Sequence, residues 1–447
     1  MNYSDFLQLQ KNIFRNYGIY NYSLSKTNIL LESEINRNIL NIIPHKISSD
    51  KQLSVAITCG APAIILDNEE VFEFKKFGKI IGQLLKVKNR FLKYTEIKEL
   101  LFSSEESKHE SLLKDSSEAL WMRLDFVKDR KNQLFNVVDV NLLPGGFYFT
   151  EVLHNEFKNI FPKYKNYNHY KVNSFINHLT KQTPFFSYSC YKEIKVVSLS
   201  NHGLHYEYLN LAKLLNEKLD IPVTHENDIL KLSPKDKFII RGFRLRHLNK
   251  NEREHIYMLV QAGVKFIEPF TLWQEDHLWF YLIRKYFKEF SKLVPENDLL
   301  WLIDRMPYTY LADNGNEELT AISPEGVHYP IDEEFIKGKL VKGGDSSGGR
   351  KIIIVKKGCG VRTREKAIQL LRNNSQTPYV VQEMVLPTKY KAFGISPNAS
   401  FEEIQQPIKY STFYVDGLFI GGIAVIAPSL KVGGGLKSTN IPIFWKK

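Results

Sequence analysis

Residues 121–146 read WMRLDFVKDRKNQLFNVVDVNLLPGG. Two apolar runs flank a polar stretch, and each run carries a polar residue at every second position. Side chains of a strand alternate between faces with period 2. RLDFV and LFNVVDVNL therefore read as antiparallel strands joined by a turn centred on Asn132. That turn sets Asp125 opposite Asp139 and Arg123 opposite Asn141, all on one face, with Val127 and Val137 continuing it. Leu124, Phe126, Val138, Val140 and Leu142 line the other face as core. Two facing carboxylates repel and weaken a sheet, so the pattern makes sense where a cation lies between them. Asp125, Asp139 and the Asn141 carbonyl are hard oxygen ligands, the type Mg2+ accepts while leaving positions for phosphate oxygens. Arg123 on the same face suits a phosphate oxygen through its guanidinium fork. A solvent-facing strand with ordinary polar alternation is the rival reading. LPGG then turns the backbone sharply.

Glycine clusters follow downstream. KLVKGGDSSGGRKIIIV, residues 339–355, reads as a strand ending at Lys342, a flexible loop and a second strand. Gly343, Gly344, Gly348 and Gly349 let backbone N–H groups curl toward an anion without Cβ obstruction. Ser346 and Ser347 add donors, and Lys342 and Lys351 offer point charges to phosphate. No helix-opening G-K-[ST] follows, so this is not a Walker A loop. TPYVVQEMVLP, residues 377–387, reads as a buried strand ending in Gln382 and Glu383, followed by Met384 and Val385. Such a segment can present backbone groups to the edge of a base while Met384 packs on its face. Residues 410–445 read as a strand hairpin around Asp416-Gly417 and a glycine-rich connection.

The 447 residues are 43% hydrophobic and 25% charged, a globular rather than disordered composition with room for two to four domain-sized units. The net charge of +12 is spread over scattered lysines. It reads as a solvated surface with some use for anionic substrates, not as a nucleic-acid interface. The most apolar stretch, LFIGGIAVIAP, is too short to span a membrane, and the N-terminus MNYSDFLQLQKN is polar. Cys59, Cys190 and Cys359 lack metal-ligand spacing, which fits a reducing cytoplasm, and Cys59 is the one to test for reactivity.

Residues 1–50 read as helical and peripheral. Residues 51–118 mix strands (LSVAITC, AIILD) with the helix EVFEFKKFGKIIGQLLKVK. Residues 155–190, rich in Tyr, Asn and Lys, connect to a new unit opening at EIKVVSLS. There strands alternate with helices, the pattern of a small parallel α/β layer. A long amphipathic stretch, EDHLWFYLIRKYFKEFSKLV, precedes a strand-rich C-terminal third. Three units are expected: 1–150 with the polar hairpin, 151–275 with the parallel layer, and 276–447 with the glycine-rich loop.

Taken together, LVKGGDSSGGRKI, VVQEMV, KYSTFYVDGLFIGG and the RLDFV … VVDVNLLPGG pair resemble the ATP-grasp superfamily. The hairpin comes first here, the order of the circularly permuted ATP-grasp enzymes of the glutathionylspermidine-synthetase-like type. VGGGLKSTNIPIF also resembles the glycine-rich stretch near that family's end. The resemblance covers residues 120–447; residues 1–118 carry no matching motif. It implies an α+β and α/β architecture, an ATP-grasp fold with a Rossmann-like pre-ATP-grasp domain at 151–275. It implies ATP and Mg2+ as cofactors. Asp125, Asp139 and Asn141 would hold the metal. Arg123 and Lys342 would contact phosphates or an acyl phosphate. Gly348, Gly349 and Lys351 would cover the phosphates, and Gln382, Glu383, Met384 and Val385 would line the adenine. Two positions depart from the family: Asp139 stands where it has Glu, and its second ATP lysine has only His277 as a counterpart.

The expected activity is ATP-dependent carboxylate–amine ligation, forming an amide through an acyl phosphate with small-molecule carboxylate and amine substrates. A small-molecule kinase of the same fold and a catalytically inactive scaffold are the alternatives. No nucleic-acid or membrane partner is expected, and a homodimer is left open.

Overall fold

The computed structural model describes residues 8, 12, 58–59, 62–87, 121–142, 145–174, 176–177, 193–199, 205–219, 221–245, 248–267, 277–314, 318–343, 352–372, 379–395, 401–427 and 438–446. Three sheets organise them, of nine, six and four strands.

The nine-stranded sheet gathers distant segments. The Trp121–Lys128 strand pairs with Phe135–Asn141 on one side and with the long strand Phe401–Val415 on the other. Leu418–Ile426 and Thr439–Trp445 extend the sheet. The hairpin expected at Asp416-Gly417 is present, with φ of 48° and 78°, the paired positive angles of a type I′ turn. Helix Asn68–Val87 covers the sheet, burying Val71, Phe74, Phe77, Ile80, Ile81 and Leu84 along one stripe. Asp67 and Glu70 exchange backbone-to-side-chain hydrogen bonds of 2.8 and 3.2 Å at its start, an arrangement of the capping-box type. Gly78 lets this helix lie on the Asp416-Gly417 turn, because a Cβ there would overlap the Tyr414 ring and the Gly417 carbonyl.

The four-stranded sheet is parallel throughout, as the alternating pattern predicts. Its edge strand, Val223–Glu226, was not expected: VTHE offers one apolar residue and no alternation. Helix Lys250–Gln261 opens with a capping box between Asn249 and Glu252. The amphipathic stretch beyond it forms two helices, Trp279–Lys285 and Phe287–Phe290. They break at Tyr286, whose φ of −105° and ψ of 34° are not helical.

The six-stranded sheet is antiparallel and holds Thr309–Asp313, Lys339–Gly343, Ile352–Val355 and Tyr379–Glu383 among its strands. Helix Val361–Arg372 contributes Ala367 and Leu371 to the core on one of its faces. The other face carries Val380 and Leu311 into the core shared with the nine-stranded sheet. The six-stranded sheet and the mixed nine-stranded sheet thus close on each other, and the chain passes between them through residues 384–388. There Arg130 N–H donates to the Leu386 carbonyl and Thr388 N–H to the Lys128 carbonyl, each bond near 2.8–2.9 Å.

Candidate functional site at the junction of two sheets

The opening hairpin has the register its sequence predicts: Asp125 faces Asp139 and Arg123 faces Asn141. One expectation fails. The pairing shifts between Asp125 and Phe126, so Phe126 faces Val137 and Val138 has no cross-strand partner. This bulge sends Val137 into the core with Phe126 and leaves Val138 half-buried, the reverse of the expected assignment. The unpaired residue gains a function in packing: its carbonyl accepts from Lys342 Nζ at 3.3 Å, and Lys342 belongs to the six-stranded sheet.

Asp125 is 2% exposed, and both of its oxygens are occupied. Oδ1 accepts from Arg123 Nε at 2.9 Å and from the Ser411 hydroxyl at 2.8 Å. Oδ2 accepts from Lys409 Nζ at 2.7 Å and from a terminal Arg123 nitrogen at 3.3 Å. The other terminal nitrogen of Arg123 donates to the Gly145 carbonyl at 2.8 Å. The guanidinium fork expected to face phosphate therefore grips Asp125. Burial alone would raise the Asp125 carboxyl, but Arg123, Lys409 and Ser411 outweigh it and hold the group at about 2.

Burial and then the facing Asp125 charge push Asp139 the other way, up to about 6, against the pull of Lys342, Arg123 and Lys409. Its side chain is 34% exposed, which tempers the burial part and leaves the Asp125 charge as the firmer cause. Burial also lowers Lys342 to about 8, with the Lys409 charge adding to the fall and both aspartates opposing it. His277 is brought to the same place, its Nδ1 4.0 Å from Asp139 Oδ1. Burial, Lys342 and Arg244 drive its pKa well below the usual value, so it is a neutral imidazole and not a replacement cation.

The three-ligand Mg2+ set does not fit the residues as they stand. Asp125 has no lone pair left for a metal. The side-chain nitrogen of Asn141 is buried without a partner among the described residues, a donor suited to an anionic oxygen. With Asp125 closed, Asp139 and the Asn141 carbonyl are the oxygens that remain, fewer than the set of three expected. Among the described residues no cluster of three or more His, Cys, Asp or Glu could hold a metal.

Sequence reasoning missed Lys409 and Ser411. They lie two residues apart in IKYSTFYV, on the strand that pairs with Trp121–Lys128, and Ser411 faces Asp125 directly. Period-2 polar residues in an apolar strand, the signal that singled out Arg123 and Asp125, mark them as well.

The base-lining segment divides. Gln382 shares the junction face with Leu340 and Lys342, and is fully buried. Its Nε2 donates to Thr309 Oγ1 at 3.0 Å, while Oε1 is buried with no partner. Glu383 points from the opposite face and pairs with Lys339 at 3.5 Å. Met384 and Val385 are half-buried in the passage between the sheets. Gly348, Gly349 and Lys351 lie outside the described residues.

No family model and no curated protein matches the chain. Solved structures do, and what the likeness shows is a shared mixed α+β fold. A glutathione synthetase-like effector from Globodera pallida, in its apo form, superposes with a TM-score of 0.55 at 10% identity, covering 94% of this chain and 97% of that one. A protein assigned as a gamma-glutamylcysteine synthetase from Methylobacillus flagellatus KT reaches a TM-score of 0.39 at 13% identity, covering 79% and 82%, and carries no weight at that score. Among the described residues, no helix is long and apolar enough to cross a membrane.

Proposed function

We propose that the junction binds the phosphates of ATP and that the chain is a carboxylate–amine ligase of the circularly permuted ATP-grasp type. The three-unit division at residues 150 and 275 belongs to the same reading. One observation carries it: the packing of the six-stranded sheet on the nine-stranded one brings Arg123, Asp125, Asp139 and Lys342 together, with Lys342 crossing from one sheet to the other. Phosphoryl transfer needs positioning and charge neutralisation rather than a protein nucleophile. A substrate carboxylate oxygen attacks the γ-phosphorus, the bond to the bridging oxygen breaks, and ADP leaves. An amine then attacks the acyl phosphate, inorganic phosphate departs, and the amine proton is lost to solvent. Lys342, Lys409 and Arg123 supply the positive field in which the phosphoryl charge redistributes. ATP is the proposed cosubstrate and arrives with its own Mg2+.

A non-catalytic binding protein is the second reading. The closed hydrogen-bond set around Asp125 and the neutral His277 favour it. Hydroxylamine trapping decides. With ATP and a panel of small carboxylates, a ligase yields a hydroxamate and ADP. AMP and pyrophosphate would show an adenylate instead. ADP with a product inert to hydroxylamine would show a kinase, and no nucleotide turnover at all would show the binding protein.

A further inference from the structure

We propose that Lys409 is the resident cation of this site, seated on Asp125 where a divalent metal would otherwise bind, so that the ligand-free protein takes up no Mg2+ there. It rests on the nucleotide-site reading only in naming the metal that this fold type would place at the hairpin. Two facing carboxylates call for a positive charge, and the chain supplies it covalently. Lys409 Nζ lies 2.7 Å from Asp125 Oδ2, a charge-assisted hydrogen bond at the short end of the usual range. Both partners are sequestered, their side chains 13% and 3% exposed. The ammonium is held in place by the sheet. Its strand is paired on both sides, and the neighbouring Ser411 fixes the other carboxylate oxygen at 2.8 Å. A metal reaching Asp125 would have to displace this ammonium and break Arg123's two bonds as well.

Mn2+ binding to the full chain, followed by electron paramagnetic resonance without nucleotide, tests this directly. The wild type is expected to bind no Mn2+ at millimolar concentrations. Lys409→Met opens the stronger of the two acceptor positions on Asp125 Oδ2 and should create a site about tenfold tighter, the scale on which neighbouring groups govern metal affinity. Lys409→Arg keeps the cation and should remain metal-free. Stoichiometric Mn2+ binding by the wild type that disappears in Asp139→Asn overturns the proposal, and this arm holds even where Lys409→Met fails to fold. A folded Lys409→Met that binds no more Mn2+ than the wild type also overturns it. Failure of hydroxamate formation leaves these outcomes untouched, so the metal question and the ligase question are separable.

Discussion

Lys342 Nζ donates to the Val138 carbonyl at 3.3 Å, from the six-stranded sheet to the nine-stranded one. Val138 can accept because the bulge beside Asp125 removes it from the ladder. A buried backbone carbonyl without a partner is costly, so the bulge and the lysine answer each other. The same lysine then stands among Asp125, Asp139, Lys409 and His277.

Lys342 is buried and its pKa falls from 10.5 to about 8, so the folded state resists its charge. Between those values the unfolded chain binds the proton and the folded chain does not, so stability rises with pH across that window. Below pH 8 the penalty is fully present, on the order of 3 kcal/mol for a shift of this size. Lys342→Met should therefore raise the melting temperature at pH 7, by much less than that figure implies because Asp139 loses a counter-charge and the Val138 carbonyl loses its donor. The gain should shrink between pH 8 and 10.5. If the junction binds ATP as proposed, ATP raises the wild-type melting temperature and the same variant should lose most of that increase. Thermal melts across pH, with and without ATP, read both effects; an unchanged ATP response would remove Lys342 from the phosphate site.

Asp139 carries the opposite sign from an ordinary paired carboxylate. Its folded pKa, about 6, lies above the 3.8 of an unperturbed aspartate. Its contribution to stability is present below pH 4 and lost as pH rises through 6. Asp139→Asn cannot titrate, so its melting temperature relative to wild type should climb between pH 4 and 6 and then level off. Asp125 does not confuse the comparison, because its own depressed pKa, about 2, moves its window below this range. On the ligase reading the variant also loses turnover while folding normally. A variant less stable than wild type at pH 7 would show that Asp139 is not held against the Asp125 charge.

Gly78 is where helix Asn68–Val87 meets the Asp416-Gly417 turn. A methyl group there would overlap both the Tyr414 ring and the Gly417 carbonyl. Tyr414 is itself fully buried, so neither neighbour can yield easily. Gly78→Ala gains about 1 kcal/mol of helix propensity and loses about 1–3 kcal/mol to overpacking. Net destabilisation is expected in urea titration, while Gly146→Ala, with nothing within 4 Å but a φ of 89°, is limited to backbone strain. A stabilised Gly78→Ala would show that the helix does not seat on the turn.

The hairpin was legible because its signal is local. Period-2 alternation with turn residues between fixes which residues face each other, and the structure keeps that register at 123–141 and 125–139. The bulge was not legible: Val137 and Val138 are identical side chains, and only the packing of Phe126 and the reach of Lys342 decide which one leaves the ladder. The parallel layer was readable for the same local reason, except at Val223–Glu226, an edge strand recruited by pairing with Ile194–Val197. The need for a cation near Asp125 and Asp139 was also legible, but its identity was not. Lys409 lies 284 residues from Asp125 along the chain, and it arrives only through the pairing of the long strand with the hairpin.

Gln382 supplies the test of which base the junction would take. Thr309 Oγ1 donates its proton to the Pro307 carbonyl at 3.0 Å, so toward Gln382 it can only accept. That fixes the amide with Nε2 on Thr309, and turns Oε1 into a buried acceptor with no partner among the described residues. An unsatisfied buried acceptor costs about 1–3 kcal/mol, a cost that a ligand with a donor at that point relieves. The exocyclic amino group of adenine is such a donor; the keto oxygen of guanine is not. Gln382→Leu removes the stranded oxygen but also the bond to Thr309, so unliganded stability should change little. Its melting-temperature response to ATP should fall, while the response to GTP, small in the wild type, should stay as it is. Equal stabilisation of the wild type by ATP and GTP would mean that Oε1 does not read the base, and the adenine assignment of residues 382–385 would go with it.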